Sequence, residues 1–194
     1  MAVIKRLCVY CGSSAGVDQR YREAAARLGT LLAESGVELI YGGGRVGLMG
    51  VLADAALAGG GRVTGIIPRQ LHDREVAHSG VGNMIVVASM HERKQRMFEL
   101  ADAFAVLPGG LGTLDETIEM LTWRQLGLHG KPVIIADVGA YWKPLLGLFE
   151  HAVAQGFAAA ATRDFYRVVT RVEDVLATLA ALPQPSARVQ SKLA

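Results

Sequence analysis

The sequence has little of several features that define specialised classes of protein. It contains two cysteines and six prolines in 194 residues, which excludes a disulfide-bonded scaffold and a collagen-like chain. No apolar run approaches the roughly 18 residues that a membrane-spanning helix needs. The 20 basic and 18 acidic residues are interspersed and give a net charge of +2. Charge therefore predicts neither a nucleic-acid partner nor a membrane surface.

The apolar residues form short runs that alternate with longer segments of helical period. With 51% hydrophobic residues, the chain can bury a full core without disulfides or a metal. The alternation predicts an α/β fold, a doubly wound parallel sheet of about seven strands flanked by helices. The predicted strands are 6–11, 37–41, 62–67, 84–87, 103–107, 133–136 and 166–169. The predicted helices are 18–35, 47–59, 90–102, 113–127, 141–155 and 172–182.

No repeat or linker interrupts this pattern, so we predict one domain over residues 1–183 and a flexible tail over 184–194. The polar segment 68–82 lacks a clear period, as functional loops and disordered segments do. The apolar stretch near the N-terminus is too short for a signal peptide, and we expect a cytoplasmic protein.

Cys8 and Cys11 have the C-x-x-C spacing of a redox motif. Both lie on the first predicted strand, where positions three apart point to opposite faces. We therefore interpret them as buried small hydrophobic residues. The histidines show no ligand spacing, and His72 and His78 are expected to be solvated. The sequence therefore predicts no metal or other cofactor.

Two glycine-rich corners follow the first and second predicted strands. In the first, Ser14 of C-G-S-S (11–14) has a hydroxyl suited to phosphate or sugar oxygens, although a turn and helix N-cap account for it equally well. The second, residues 42–47, includes Gly43 and spells G-x-G-x-x-G, but no carboxylate ends the next strand, so a dinucleotide site is not expected. A glycine loop that opens a helix suits either phosphate or close chain packing.

The third corner, P-G-G-L-G-T-L-D-E at 108–116, follows an apolar strand and opens a helix. Its glycines free the backbone amides to converge where the helix dipole is positive, which suits a phosphomonoester. The glycines are not followed by the lysine that the phosphate-binding loop of nucleoside-triphosphate-binding proteins requires, so a triphosphate site of that kind is not expected. Thr113 and Glu116 have capping-box spacing, and this local pattern favours a cap. Against it, Glu116 shares a partly apolar helix face with Met120 and Trp123.

The fourth element is M-H-E-R-K at 90–94, at the start of a predicted helix. The adjacent cations Arg93 and Lys94 oppose the helix dipole there. A charged surface pair is one interpretation. An anionic ligand across the helix start accounts for the pair better.

These motifs together resemble the Lonely Guy (LOG) family, which are cytokinin riboside 5′-monophosphate phosphoribohydrolases long labelled putative lysine decarboxylases. The match rests on P-G-G-x-G-T-x-x-E at 108–116, M-H-x-R-K at 90–94, C-G-S-S at 11–14, G-G-G…G-L-M-G at 42–50 and T-W…Q-L-G at 122–127. It spans roughly residues 6–180. The resemblance implies a Rossmann-like domain, a homodimer and an active site near the subunit interface.

The resemblance also implies a site and a reaction. Arg93 and Glu116 would be the catalytic pair. The substrate contacts would be Glu75, Lys94, Gly110, Leu111, Gly112, Thr113 and Thr122, to which the glycine corners add Ser14 and Gly43. The expected reaction is hydrolysis of the N-glycosidic bond of a purine nucleoside 5′-monophosphate, either a cytokinin precursor or AMP. The alternative is a nucleotide-binding or sensing module without catalysis.

The decarboxylase label does not fit the residues. Pyridoxal phosphate chemistry needs a Schiff-base lysine. Only Lys94 lies in a proposed site element, and there it accompanies Arg93 in a nucleotide motif.

Overall fold

Seven parallel strands form one sheet in the order β4-β3-β2-β1-β5-β6-β7. The computed structural model describes residues 4–14, 16, 18–72 and 77–182. The strands are β1 Arg6–Tyr10, β2 Glu38–Tyr41, β3 Val63–Pro68, β4 Asn83–Val87, β5 Ala103–Val106, β6 Val133–Ala136 and β7 Arg167–Val169. All seven predicted strands are present, and the prediction of a doubly wound parallel sheet is confirmed.

Helices cover both faces of the sheet. They are α1 Gln19–Glu34, α2 Gly47–Ala58, the single turn α3 Arg69–Leu71, α4 Met90–Leu100, α5 Leu111–Gln125, α6 Lys143–Ala154 and α7 Asp174–Ala181. Apolar side chains of α1, α2 and α7 pack on one face, and those of α4, α5 and α6 pack on the other. The strands are apolar on both sides because both faces are buried.

The two cysteines lie on opposite faces of this sheet, as predicted. Cys8 belongs to the core beneath α4 and α5, whereas Cys11 belongs to the core beneath α1 and α2. Both thiols are free, and burial raises the pKa of each. The strand period thus separates the two sulfurs and rules out a C-x-x-C redox pair.

The strand order reverses between β1 and β5, because β2, β3 and β4 extend to one side of β1 and β5, β6 and β7 extend to the other. At such a switch point the chain passes from the two central strands to helices on opposite faces of the sheet, here α1 and α5, and a crevice remains between them. Here the amide of Gly12, just after β1, donates to the carbonyl oxygen of Pro108 after β5 at 3.0 Å. The first and third glycine corners therefore meet.

The segment after β3 differs from the prediction at His78. Its side chain is buried, with Nε2 3.0 Å from Asp54 Oδ1 and Nδ1 accepting from the amide of Gly80. The expectation of a solvated His78 is therefore wrong, because the ring ties the loop before β4 to helix α2. His72 is exposed, as predicted.

Two predictions fall outside what the structure describes. Glu75 lies within residues 73–76, and the predicted tail 184–194 lies beyond residue 182. The extent of the single domain, 1–183, stays a prediction. Among the described residues, no helix is long and apolar enough to cross a membrane.

Candidate functional site

Helix α4 brings Arg93 and Lys94 into the protein interior. Its N-terminus is capped by its own sequence, because Ser89 Oγ accepts from the amide of Glu92 at 3.1 Å and the Glu92 carboxylate accepts from the amide of Ala88 at 2.7 Å. This cap uses the side chain of neither Arg93 nor Lys94. Their side chains are each only 10% exposed, so the interpretation as a surface pair is wrong.

The guanidinium of Arg93 lies where β2, β3 and α5 meet. Its Nε donates to the carbonyl oxygen of Ile66 at 3.2 Å and its Nη2 to that of Gly42 at 3.4 Å. Its Nη1 lies 3.6 Å from Glu116 Oε1. A Cβ at Gly42 would overlap the guanidinium. Sequence reasoning missed this requirement for glycine, which depends on a contact 51 residues away.

Glu116 faces Arg93 and does not cap its helix. Helix α5 begins at Leu111 with Gly110 as the N-cap, two residues before the predicted start, so Thr113 lies inside the helix. The expected capping box of Thr113 and Glu116 is therefore wrong. The carboxyl group of Glu116 is buried, and this burial raises its pKa to about 7, against the opposing effect of the Arg93 charge.

A carboxyl group whose pKa is close to 7 can gain or lose a proton under physiological conditions. Perturbed groups of this kind cluster at functional sites. The Glu116–Arg93 pair, buried at the carboxyl ends of the strands, therefore has the properties of a catalytic pair.

Lys94 is held by two carboxylates of α5. Its Nζ lies 3.1 Å from Asp115 Oδ2 and 3.1 Å from Glu119 Oε1. Burial lowers the pKa of Lys94, but hydrogen bonds to both carboxylates outweigh it and the pKa is raised. Sequence reasoning did not foresee these two partners. Lys94 thus joins α4 to α5 beside the Arg93–Glu116 pair, and its contact with a ligand stays a prediction.

The first turn of α5 presents backbone amides without a side-chain cap. The first amides of a helix have no partner within it and carry partial positive charge. Thr113 is buried against Gly109, where a Cβ would overlap its hydroxyl, whereas Cβ atoms at Gly110 and Gly112 would meet nothing within 4 Å. The open side of this turn is suited to an anion.

A cleft of about 390 Å³ lies against this turn, lined by Ser14, Gly110 and Tyr141 among others. The Tyr141 hydroxyl donates to the carbonyl oxygen of Gly109 at 2.7 Å. Ser14 is exposed, and its hydroxyl accepts from the amide of Gly16 at 3.5 Å. The N-cap of α1 is Asp18, so the cap interpretation of the first corner is wrong.

The second glycine corner serves close packing. The carbonyl oxygen of Gly12 accepts from the amides of Leu48 at 3.0 Å and Met49 at 3.4 Å. These amides in the first turn of α2 are therefore already hydrogen-bonded within the protein. Gly47 has a φ of +66°, and a Cβ there would overlap the backbone of Ser13. The carbonyl oxygen of Gly43 accepts from the amide of His78, and the substrate contact of Gly43 stays a prediction.

Thr122 does not join the pair within its own chain. It is exposed on α5, and six residues of helix place it about 120° around the axis from Glu116. Its neighbours on that face, Ile118 and Leu126, are exposed as well. The structure therefore brings Arg93, Lys94 and Glu116 together beside the first turn of α5. Thr122 is left on an outer surface of the helix.

Comparisons with known proteins identify the family of this chain. The sequence profile of the family described as "Possible lysine decarboxylase" matches residues 49–179. A probable cytokinin riboside 5′-monophosphate phosphoribohydrolase of Oryza sativa subsp. japonica is 49% identical over 82% of this chain and 71% of its own. The enzyme of that activity from Rhodococcoides fascians is 45% identical over 90% of this chain and 89% of its own. The chain belongs to the Lonely Guy family.

Solved structures confirm the fold of this Lonely Guy family member. The molybdenum cofactor binding protein of Rippkaea orientalis has a TM-score of 0.70 and 22% identity, over 93% of this chain and 98% of its own. The molybdenum cofactor carrier protein of Chlamydomonas reinhardtii has a TM-score of 0.69 and 20% identity, over 91% of this chain and 96% of its own. At these identities the likeness concerns the Rossmann-like architecture alone.

The raised pKa of Glu116 predicts a pH-dependent cost to stability. Below pH 4.5 the group is protonated in the folded and unfolded chains alike. Between pH 4.5 and about 7 the unfolded chain releases the proton while the folded chain retains it, so the free energy of unfolding falls as pH rises. Glu116→Gln removes this effect. Its free energy of unfolding relative to the wild type should rise by about 3 kcal/mol from pH 4 to pH 8.

Urea unfolding at a series of pH values measures this difference. Glu99→Gln, at an exposed carboxylate paired with Arg96, is the matched control and should show no such rise. A difference between Glu116→Gln and the wild type that stays constant with pH would contradict a raised pKa.

Proposed function

We propose that this chain hydrolyses the N-glycosidic bond of purine nucleoside 5′-monophosphates and releases the free base and ribose 5-phosphate. The observation that carries the proposal is the buried Glu116–Arg93 pair beside the uncapped start of α5. From Leu111 to Glu116 the helix rises by roughly 7–8 Å. We propose that a ribose 5-phosphate unit spans these two points.

The first turn of α5, with its N-cap Gly110, is the proposed phosphate subsite. Its donors are the backbone amides from Gly110 to Thr113, and the helix dipole adds to their attraction for an anion. Binding energy gained at the phosphate, remote from the bond that breaks, positions the C1′–N bond against Glu116. Ser14 would contribute from the cleft that it lines, and Lys94 from its place on α4 beside α5.

Glu116 and Arg93 are the proposed catalytic residues. As the C1′–N bond breaks, its electron pair leaves with the base and positive charge develops on the ribose. The ionised carboxylate of Glu116 stabilises that charge, orients the attacking water and takes its proton. The oxygen of this water bonds to C1′, and the proton passes from Glu116 to the departing base, which leaves as the neutral free base. Arg93 holds the carboxylate through the 3.6 Å ion pair and keeps it correctly placed.

The arrangement of the lysines disfavours a decarboxylase. An imine-forming lysine needs a depressed pKa, whereas the pKa of Lys94 is raised by its two carboxylate partners. The pKa of Lys131 is lowered by burial. This residue, however, lies before the amino-terminal end of β6, whereas the glycine corners follow the carboxyl ends of their strands. The relatives' names point the same way, since they are phosphoribohydrolases.

Two substrates fit the proposal, AMP and a cytokinin riboside 5′-monophosphate. The relatives are named for the second, and the phosphate and ribose contacts proposed above are common to both. We also propose that the protein works in the cytoplasm, which agrees with the free thiols of Cys8 and Cys11.

We further propose a homodimer that uses the outer face of α5. Leu111, Ile118 and Leu126 are 85%, 40% and 66% exposed and lie on one side of the helix, with Thr122 between the last two. An exposed apolar stripe of this kind is typical of a protein interface. In the dimer, Thr122 would reach a nucleotide from the neighbouring copy.

The activity is tested by chromatographic detection of base released from AMP and from isopentenyladenosine monophosphate. The wild type should release base, and Glu116→Gln should lower kcat by about 10²–10⁴-fold because the proton acceptor is lost. The affinity for ribose 5-phosphate should persist. Glu99→Gln should match the wild type. Nucleotide binding without base release by the wild type would instead support a non-catalytic binding module.

The dimer is tested by sedimentation and by activity. Ile118→Asp places a charge in the proposed interface, so we expect a monomer with reduced base release. Leu148→Asp, at a 60% exposed leucine of α6, is the control and should remain dimeric and active. A monomeric wild type, or an Ile118→Asp variant that stays dimeric, would overturn the proposed interface.

A further inference from the structure

The turn between β6 and α6 holds one tyrosine against the glycine corner that follows β5. The Tyr141 hydroxyl donates to the carbonyl oxygen of Gly109 at 2.7 Å. From the other side, the amide of Gly12 donates to the carbonyl oxygen of Pro108 at 3.0 Å. Two successive carbonyl groups of the loop are therefore fixed by separate and distant parts of the chain.

The backbone of this turn is constrained in a way that fixes the tyrosine. Ala140 has a φ of +61°, the single residue other than glycine with a positive φ among the described residues. Such a conformation is unfavourable for a residue that carries a Cβ and persists only where its surroundings impose it. Here the Asp137 carboxylate accepts from the amide of Trp142 at 2.6 Å, and the Tyr21 ring packs edge-on against the Tyr141 ring.

The bond to Gly109 determines which way the next amide points. The peptide between Gly109 and Gly110 is trans, so its carbonyl and its N–H point in opposite directions. With the carbonyl oxygen held on Tyr141, the N–H of Gly110 lies on the side away from the tyrosine. Glycines on both sides of a peptide let it rotate easily, and a rotated peptide would present an oxygen to an anion.

The same hydrogen bond prevents Tyr141 from acting as a phosphate ligand itself. A phenol has one O–H donor, and that donor is engaged by Gly109. The remaining lone pairs of the hydroxyl would repel phosphate oxygens. Any effect of Tyr141 on an anion in the adjoining cleft is therefore transmitted through the loop.

We propose that Tyr141 is a positioning residue, which orients the Gly110 amide for the substrate phosphate; this inference rests on the proposed function. Neither the motifs of the sequence nor the family comparison singles out this residue. The distance and the strained turn together assign it.

The test compares Tyr141→Phe, which keeps the ring and removes the hydroxyl, with the wild type in steady-state hydrolysis of AMP. We expect KM for AMP and the inhibition constant for ribose 5-phosphate to rise about three- to tenfold, as the loss of one hydrogen bond implies. The value of kcat should stay within about twofold, since Glu116 and Arg93 are untouched. Tyr166→Phe, at a tyrosine that packs against Phe149 away from the cleft, is the matched control and should leave both constants unchanged.

Amide NMR of Gly110 supplies a readout that does not depend on catalysis. Ribose 5-phosphate should shift this resonance in the wild type and require a higher concentration to do so in Tyr141→Phe. Unchanged KM and unchanged titration in this variant, or a fall in kcat with KM unmoved, would overturn the positioning role. If the wild type releases no base, the proposed function fails, while the ribose 5-phosphate titration still tests Tyr141.

Discussion

The buried ion pair between Arg93 and Glu116 is the interaction on which the rest of the site depends. Withdrawing a guanidinium from water is costly unless it is paired with an anion and hydrogen-bonded to acceptors. The fold supplies the carbonyl oxygens of Ile66 and Gly42 and one carboxylate oxygen of Glu116. These come from β3, from the loop after β2 and from α5, so the pair can form only once the sheet and both helices are in place.

Close contacts around this pair and around the start of α5 explain why several glycines occur where they do. Gly42 has no side chain because the guanidinium occupies that space, and Gly109 has none because Thr113 packs against it. The glycines are thus distributed between two tasks. Some permit close approach within the protein, whereas Gly110 and Gly112 leave open the face of α5 at which an anion is proposed to bind. Burial of Glu116, costly for stability, keeps its proton exchangeable near neutral pH.

The fold could be predicted from the sequence because short, wholly apolar runs between helical segments are typical of a parallel sheet with both faces covered. The residues of the site were predicted partly from local patterns and partly from resemblance, and the local patterns were the less reliable guide. The T-x-x-E spacing favours a cap at Thr113, but a residue can cap a helix only at its first position. With Gly110 as the N-cap, helix α5 starts at Leu111, two residues before Thr113. The contacts made by Lys94, Gly42, His78 and Tyr141 join segments that are distant in the sequence. A single sequence carries no signal for such contacts.

The most direct test of the buried pair is an NMR titration of the Glu116 side-chain carboxyl carbon, in the wild type and in Arg93→Met. Burial should give the wild type a pKa of about 7. Removal of the neighbouring positive charge should raise the pKa further, because that charge favours the ionised form. A wild-type pKa near the ordinary 4.5, unaffected by Arg93→Met, would contradict a buried and coupled pair.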